Sequence, residues 1–419
     1  MARQLSGRGP PVWTVFVAGA LVTVLVGVLS LAGAETTLAA ALPVLGFLFA
    51  LLLFATALDR AGAIDHLARW LLGRARRSSD LPAVLFVGFG IASAFLVNDA
   101  LAVLGVPVLL SVSRRLGKPA RPLLLVLAFS VTVGSVLTPF GNPQNLLVAL
   151  NSGIALPVVT FLRFLLLPTV ASLVLGAFYL RKVFGPELAS PAPEYAALRS
   201  EAPRLFPSGG WRQRLLRAPV LWVFPGTLLT IITWEVMAAF THGPDVPAWQ
   251  TALGGAVVLL LATPTRTGIV RRLNWEILLL FAGLFVVVGG AAHGGVFAAL
   301  ESHFPVPGPG EPRGGILAIT GWSLLGSQLV SNVPWVALQL PLLKAAGYSA
   351  ATPVAWMALA AGSTLAGNIT LLGAASNLIV AELSEKAGVP LRLGTFVRYG
   401  LPLAALTVGL LLVALLLGV

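Results

Sequence analysis

Thr138-Pro139-Phe140-Gly141-Asn142-Pro143-Gln144-Asn145 interrupts a long apolar segment, and Thr370-Leu371-Leu372-Gly373-Ala374-Ala375-Ser376-Asn377 repeats its pattern 232 positions later in equally apolar surroundings. Working outward from this pair, Phe49-Ala50 matches Phe281-Ala282 and Gly62 matches Gly294 at the same offset. At an offset of 234, Asn98 meets Asn332, Leu104 meets Leu338, Pro107 meets Pro341 and Leu109 meets Leu343. Three collinear blocks in one order mark two halves of one ancestral unit, because coincidence in Leu/Ala-rich sequence rarely aligns Pro, Asn and Gly together.

The 419 residues are 57% hydrophobic and only 10% charged, with a mean hydropathy of +0.93, which excludes an ordinary soluble domain. Several apolar stretches of about 20 residues are long enough to cross a hydrocarbon layer as helices, and strand alternation is absent, so the chain reads as an all-α polytopic membrane protein. In a soluble protein the formal charge of +12 would suggest nucleic acid. Here the basic residues cluster in short loops between spans and read as topology signals, so the expected partner is the lipid bilayer and no nucleic acid. The absence of cysteine excludes disulfides, thiolate metal sites and cysteine nucleophiles. Arg3 and Arg8 precede an apolar run too long for a cleaved signal peptide, which we read as a retained first span.

Placing the amino terminus in the cytoplasm satisfies nearly every Arg/Lys cluster. A first span over 12 to 33 turns at Glu35, a second over 36 to 58 returns to Arg60, and residues 61 to 77, with Arg69, Arg74, Arg76 and Arg77, suit an interfacial helix. The apolar block 81 to 113 lies between two basic clusters and carries Val97-Asn98-Asp99 at its centre. Both ends therefore want the cytoplasm. A re-entrant hairpin with a polar tip deep in the membrane is the economical solution, and two ordinary spans with an outside turn are the alternative. The chain then runs outward to about 151 through the Gly141-Asn142-Pro143 break and returns over 155 to 180 to Arg181-Lys182. Residues 1–181 are thus a first transmembrane repeat, 182–217 a cytoplasmic loop, 218–241 a linking span and 242–419 a second, inverted repeat. The expected architecture is a pair of inverted five-element repeats plus the linking span, each repeat with a re-entrant hairpin and a discontinuous helix. Alternating-access secondary transporters are built this way.

Four polar clusters fall in apolar sequence: Asn98-Asp99, Thr138 to Asn145, Ser331-Asn332, and Asn368 to Asn377. Repeat symmetry brings them together near the midplane, where unsatisfied amides and hydroxyls cost several kcal/mol each and so pair with one another, with freed backbone groups or with a solute. The candidate substrate-binding residues are Asn98, Thr138, Gly141, Asn142, Asn145, Ser331, Asn332, Asn368, Thr370, Gly373, Ser376 and Asn377. The plainer reading is that Asn98 and Asn332 cap their helices while Thr138 and Thr370 bond within theirs. Asp99 is the sharpest single residue, since a membrane-embedded carboxylate is costly unless it is protonated, binds a cation or faces water. It is assigned as the ion-coupling group; the second half has Val333 in its place. Glu276, Asp59, Arg60, Asp65 and His66 sit at span ends and read as interfacial, and His293 as a packed histidine. No Gly-Lys-Ser/Thr phosphate loop is present, so ATP coupling within the chain, a cofactor or a resident metal is not expected. Asp99 has no second acid and the serines no histidine partner, which argues against an enzyme.

These motifs, together with Ser331-Asn332-Val333-Pro334 and Trp275-Glu276 leading into Phe281-Ala282-Gly283-Leu284-Phe285, resemble the ion transporter superfamily of arsenite permeases, sodium/proton antiporters and anion permeases. Within it the chain looks most like the putative anion permease and arsenite-efflux branch, which includes plant silicon-efflux transporters. The resemblance covers most of the chain outside the central loop. It implies a secondary transporter whose hairpin tips and helix breaks form the central site, and proton-coupled efflux of arsenite, antimonite or silicic acid. In sodium-coupled dicarboxylate relatives the tips carry Ser-Asn-Thr; here they read Val97-Asn98-Asp99 and Ser331-Asn332-Val333. That departure weakens the carboxylate symporter reading, whereas a sodium/proton antiporter would also value Asp99.

The expectation is a secondary active transporter of a small inorganic anion or oxyacid in the cell inner (plasma) membrane, exporting it against proton entry, with H+ or else Na+ as coupling ion. A passive channel is the rival from another class. Oligomeric state stays open, a homodimer among the options.

Overall fold

A computed structural model describes residues 11–191, 195–196, 200, 218–241, 246–296 and 302–418, and most of the expected central loop lies outside the described residues. Among them are seventeen α-helices and no strand. The first half contains α1 (Val12–Leu25), α2 (Leu31–Arg60), α3 (Ala63–Arg74), α4 (Leu81–Ser93), α5 (Asn98–Leu116), α6 (Ala120–Gly134), α7 (Pro143–Asn151) and α8 (Pro157–Leu188). After the linking span α9 (Val220–Thr241), the second half contains α10 (Ala248–Ala262), a short α11 (Arg266–Arg271), α12 (Trp275–His293), α13 (Pro312–Val330), α14 (Asn332–Ala345), α15 (Pro353–Ala366), α16 (Ala375–Lys386) and α17 (Leu393–Leu417). Six helices among the described residues are long and apolar enough to cross a membrane.

The two halves match element by element. The helix break after α6 has Thr138 at φ −134°, ψ 162°, and the break after α15 has Thr370 at φ −135°, ψ 164°. Packing follows a two-fold pattern: α1 lies on α12 while α2 lies on α10, and α5 lies on α16 while α14 lies on α7. With an even number of crossings per half, the single span α9 between them reverses the sense of the second half. The repeats are therefore inverted.

Each hairpin is re-entrant. Helix α4 has 13 residues and α14 has 14, about 20 Å of rise each, against a hydrocarbon layer of about 30 Å. The turn between α4 and α5 sits at the level of the break after α6: the Asn98 amide donates to the Gly141 carbonyl at 2.9 Å, and the Thr138 hydroxyl donates to the Ala94 carbonyl. A turn outside the membrane could not meet an interruption in mid-span. The close crossing of α4 and α6 needs glycine, because a Cβ on Gly134 would overlap the Gly90 carbonyl. Helices α6 and α15 form the centre and are buried nearly all round, as their uniformly apolar sequence requires.

Three boundaries depart from the sequence reading. The first turn falls at residues 26–30, where Gly27 takes φ 77° and Ser30 caps α2 by accepting the Gly33 amide at 3.0 Å, so Glu35 lies inside a helix instead of at the turn. The interfacial segment narrows to α3. Helix α8 continues past Arg181-Lys182 to Leu188, into the stretch assigned to the central loop.

The linking span is tied to the first half by a residue the sequence reading passed over. The buried Glu235 carboxylate on α9 accepts the Val158 amide at 2.9 Å and the Val159 amide at 3.3 Å, satisfying first-turn donors of α8. Glu235→Ala is expected to cost about 2 kcal/mol, since it strips a charged acceptor from buried amides. The midpoint of thermal unfolding in detergent measures this, with Glu235→Gln retaining part of the loss.

Candidate functional site

The site grows from the problem each break creates. Interrupting a helix in a low-dielectric interior frees carbonyls on one side and amides on the other, and each must be met. In the first half, Asn145 does much of this: its side-chain amide lies 2.9 Å from the Ser135 carbonyl, 3.3 Å from that of Val136 and 3.0 Å from that of Thr138. Asn142 caps α7 by accepting the Asn145 amide at 2.8 Å, and its own amide donates toward the Ser135 carbonyl and hydroxyl, both at 3.1 Å. Gly141 is required because a Cβ there would collide with the Ser135 backbone. The second half repeats the device in part: the Asn377 side-chain amide donates to the Gly367 carbonyl at 2.6 Å, and Gly373 is buried in the matching turn.

Both threonines latch a break to the hairpin arm of the same half. The Thr138 hydroxyl binds the Ala94 carbonyl just past α4 and accepts the Phe140 amide at 3.1 Å. The Thr370 hydroxyl donates to Gln328 Oε1 on α13 at 2.6 Å and accepts the Leu372 amide at 3.2 Å. Asn98 and Asn332 each accept the backbone amide of the following residue, both at 2.9 Å.

The halves then meet. Asn98 Nδ2 reaches the Ser376 hydroxyl at 3.4 Å, joining the first hairpin tip to the second half-helix. From α15, the Thr364 hydroxyl lies 3.2 Å from Asn142 Nδ2, 3.1 Å from Gln144 Nε2 and 3.2 Å from Asn145 Oδ1. Hydrogen bonds thus link Asn98, Thr138, Gly141, Asn142, Asn145 and Ser376 around one polar centre, whereas Thr370 bonds to Gln328 and Ser331 and Asn332 bond within their own tip. Thr138, Asn142, Asn145 and Thr370 have their side chains engaged within the protein, and Gly141 acts through its backbone. Asn368 is fully buried with neither side-chain atom paired, and Asn377 Oδ1 and Gln144 Oε1 are likewise buried without a hydrogen-bond partner among the described residues. Such groups are costly in an apolar interior unless something else meets them. Asp99 is 7% exposed in the first turn of α5, and no ion pair to it is found among the described residues. Ser331, half-buried at the second tip, is the one non-glycine residue with positive φ among the described residues, at φ 72°, ψ 161°.

Chemically, the centre offers amide donors, amide and hydroxyl acceptors and one carboxylate. It suits a small solute that both gives and takes hydrogen bonds. Sequence reasoning missed Thr364, Gln144 as a site member and Gln328. Thr364 had a signal, since the 232-residue offset pairs it with Thr132. Gln328 had none, because at the 234-residue offset of the hairpin block its counterpart is Ala94, which carries no polar side chain.

Comparison with known proteins agrees with this architecture. The family model described as citrate transporter, CitMHS, matches residues 7–366. The silicon efflux transporter LSI3 of Oryza sativa subsp. japonica is 30% identical over 413 residues, covering 86% of this chain and 84% of that protein. A 46 kDa membrane protein of Mycobacterium leprae is 26% identical, covering 88% of this chain and 84% of that protein. Among solved structures, the Alcanivorax borkumensis YdaH transporter, reported to have an unusual topology, superposes with a TM-score of 0.56 at 16% identity over 97% of this chain and 98% of that one.

Two substitutions separate support from strain. Thr364→Val leaves the Gln144 and Asn142 amides short of an acceptor and is expected to cost about 2 kcal/mol, read as a lowered unfolding midpoint in detergent. Ser331→Gly removes the left-handed strain at the second tip and is expected to raise that midpoint, by about 1 kcal/mol or more.

Proposed function

Because this chain belongs to the citrate transporter family CitMHS and is a multi-pass membrane transporter, we propose that it carries a small, weakly acidic or neutral oxyacid of the silicic or arsenous acid kind, exporting it against proton entry. The observation that carries this reading is the composition of the centre: the tips and breaks supply amides, hydroxyls and a single carboxylate, with no lysine or arginine. A trivalent carboxylate would find no counter-charge there and would meet Asp99 at close range. A hydroxylated neutral solute finds the unpaired atoms of Asn368, Asn377 and Gln144, which can accept from its hydroxyls and donate to its oxygens.

In this account Asp99 holds the coupling proton. Loaded from the outside, the neutral carboxyl is tolerated in the buried centre while the hairpin-bearing regions move against the remaining spans. Loss of the proton to the cytoplasm leaves a carboxylate that favours a wetter, solute-accepting state. Asn98, Ser331, Asn332 and Ser376 line the two tips and the second half-helix and complete the solute's hydrogen bonds. The cytoplasmic amino terminus and plasma-membrane location belong to the same proposal. The family description, citrate transporter, favours a second reading, carboxylate transport on the same scaffold, and a sodium/proton antiporter would use Asp99 alone.

Proteoliposomes containing a pH dye separate these readings when arsenite, silicic acid, citrate, succinate and sodium are supplied in turn. The oxyacids are expected to drive proton flux in the wild type. Asp99→Asn should insert normally and lose the pH dependence of transport, and Asn368→Ala should weaken apparent solute affinity about tenfold, the value of one lost hydrogen bond. Flux driven by citrate or by sodium alone, with no response to the oxyacids, contradicts the proposal.

A further inference from the structure

The exposed side of α8 carries Leu166, Leu167, Val170, Val174 and Phe178, an apolar stripe at helical spacing that suits contact with lipid tails. One turn beyond Phe178 the stripe ends at Arg181 and Lys182, both exposed. Between this end of α8 and the short turn Ser78–Asp80 that leads into α4 lies a pocket of about 370 Å³, lined by Ser79, Phe178, Arg181, Lys182, Gly185 and Pro186. Its floor is firmly built. Arg181 bonds Asp80 at 2.8 Å, the Ser190 amide donates to the Ser78 hydroxyl at 2.8 Å, and α8 approaches so closely that a Cβ on Gly185 would lie 2.8 Å from the Ser79 carbonyl.

Charge decides what the pocket suits. Asp80 occupies Arg181 on one side only, and Lys182 has no ion pair among the described residues. Arg76 and Arg77 are exposed just before the turn, so segments 76–80 and 178–187 together present four basic side chains against two acidic ones, Asp80 and Glu187. A cationic pocket of this size, open to solvent and continuous with a lipid-facing apolar stripe, has the two-part chemistry of a phospholipid: phosphate above, acyl chains below. We propose that it binds the phosphate headgroup of an anionic phospholipid, with Lys182 and Arg181 on the phosphate and the acyl chains along Phe178 and Val174. The site bridges the base of the first hairpin to α8 and does not depend on which solute is carried.

The test is native mass spectrometry of the purified full chain released from detergent after titration with phosphatidylglycerol, with phosphatidylcholine of the same acyl chains, and with soluble glycerol phosphate as competitor. The expected result is retained phosphatidylglycerol over phosphatidylcholine, reduced roughly tenfold or more by Lys182→Glu, reduced less by Lys182→Ala and unchanged by Arg271→Glu, a reversal elsewhere on the basic surface. Four outcomes overturn it: equal retention of the two lipids, wild-type retention by Lys182→Glu, an equal loss in Arg271→Glu, or full displacement by glycerol phosphate, which would make this a soluble-anion site.

Discussion

Within a hydrocarbon layer every backbone amide and carbonyl has to be met by the protein, and the interruption of two central helices is tolerated only because other elements meet the groups set free. The rest of this structure follows from that constraint. Each break lies where a hairpin tip can reach it, so the hairpins must re-enter the membrane instead of crossing it. Thr138 reaches back to Ala94, and Thr370 to Gln328. Asn145 and Asn377 fold onto carbonyls of the preceding helix. Tip and break therefore form one unit within each half, and the two units touch through Asn98 with Ser376 and through Thr364 with Asn142 and Gln144.

The two-fold repeat is not kept everywhere. Asn142 caps α7, whereas its counterpart Ala374 offers α16 no side-chain cap. Asp99 faces Val333 across the pseudo-symmetry, and Ser331 holds a left-handed conformation where Val97 has φ −53°. Within the two breaks, three buried side-chain atoms without a partner lie on the second, both of Asn368 and Asn377 Oδ1, against Gln144 Oε1 on the first. The first half carries the carboxylate, and the second break keeps more unmet hydrogen-bonding capacity. The proposed coupling of one proton site to one solute site would use this division without duplicating either.

Much of this was legible in the sequence because inverted duplication leaves paired marks. The Thr-x-x-Gly-x-x-x-Asn pattern located both breaks, and basic clusters at both ends of 81–113 marked the first hairpin. What escaped had no pattern to carry it. The latch partner of Thr138 is the main-chain carbonyl of Ala94, the break's other carbonyls are met by side chains within the motif itself, and Gln328 takes the place of that alanine in the second half, so no shared side chain marks the latch. Glu235 escaped because the Val158 and Val159 amides it accepts bear no side-chain signature. The first turn was misplaced because Glu35 is the nearest charge, while Gly27 and Ser30 supply the geometry that makes a turn.

The first hairpin tip and the second half-helix meet in one polar centre across the inverted repeat, through Asn98 and Ser376. Because the chain contains no cysteine, the double variant Asn98→Cys/Ser376→Cys tests it directly in membranes treated with a mild oxidant. An intramolecular disulfide is expected, identified as a linked peptide pair by mass spectrometry and lost on reduction. Absence of the linked pair under conditions that oxidise both thiols would place the two residues apart and rule out a shared polar centre.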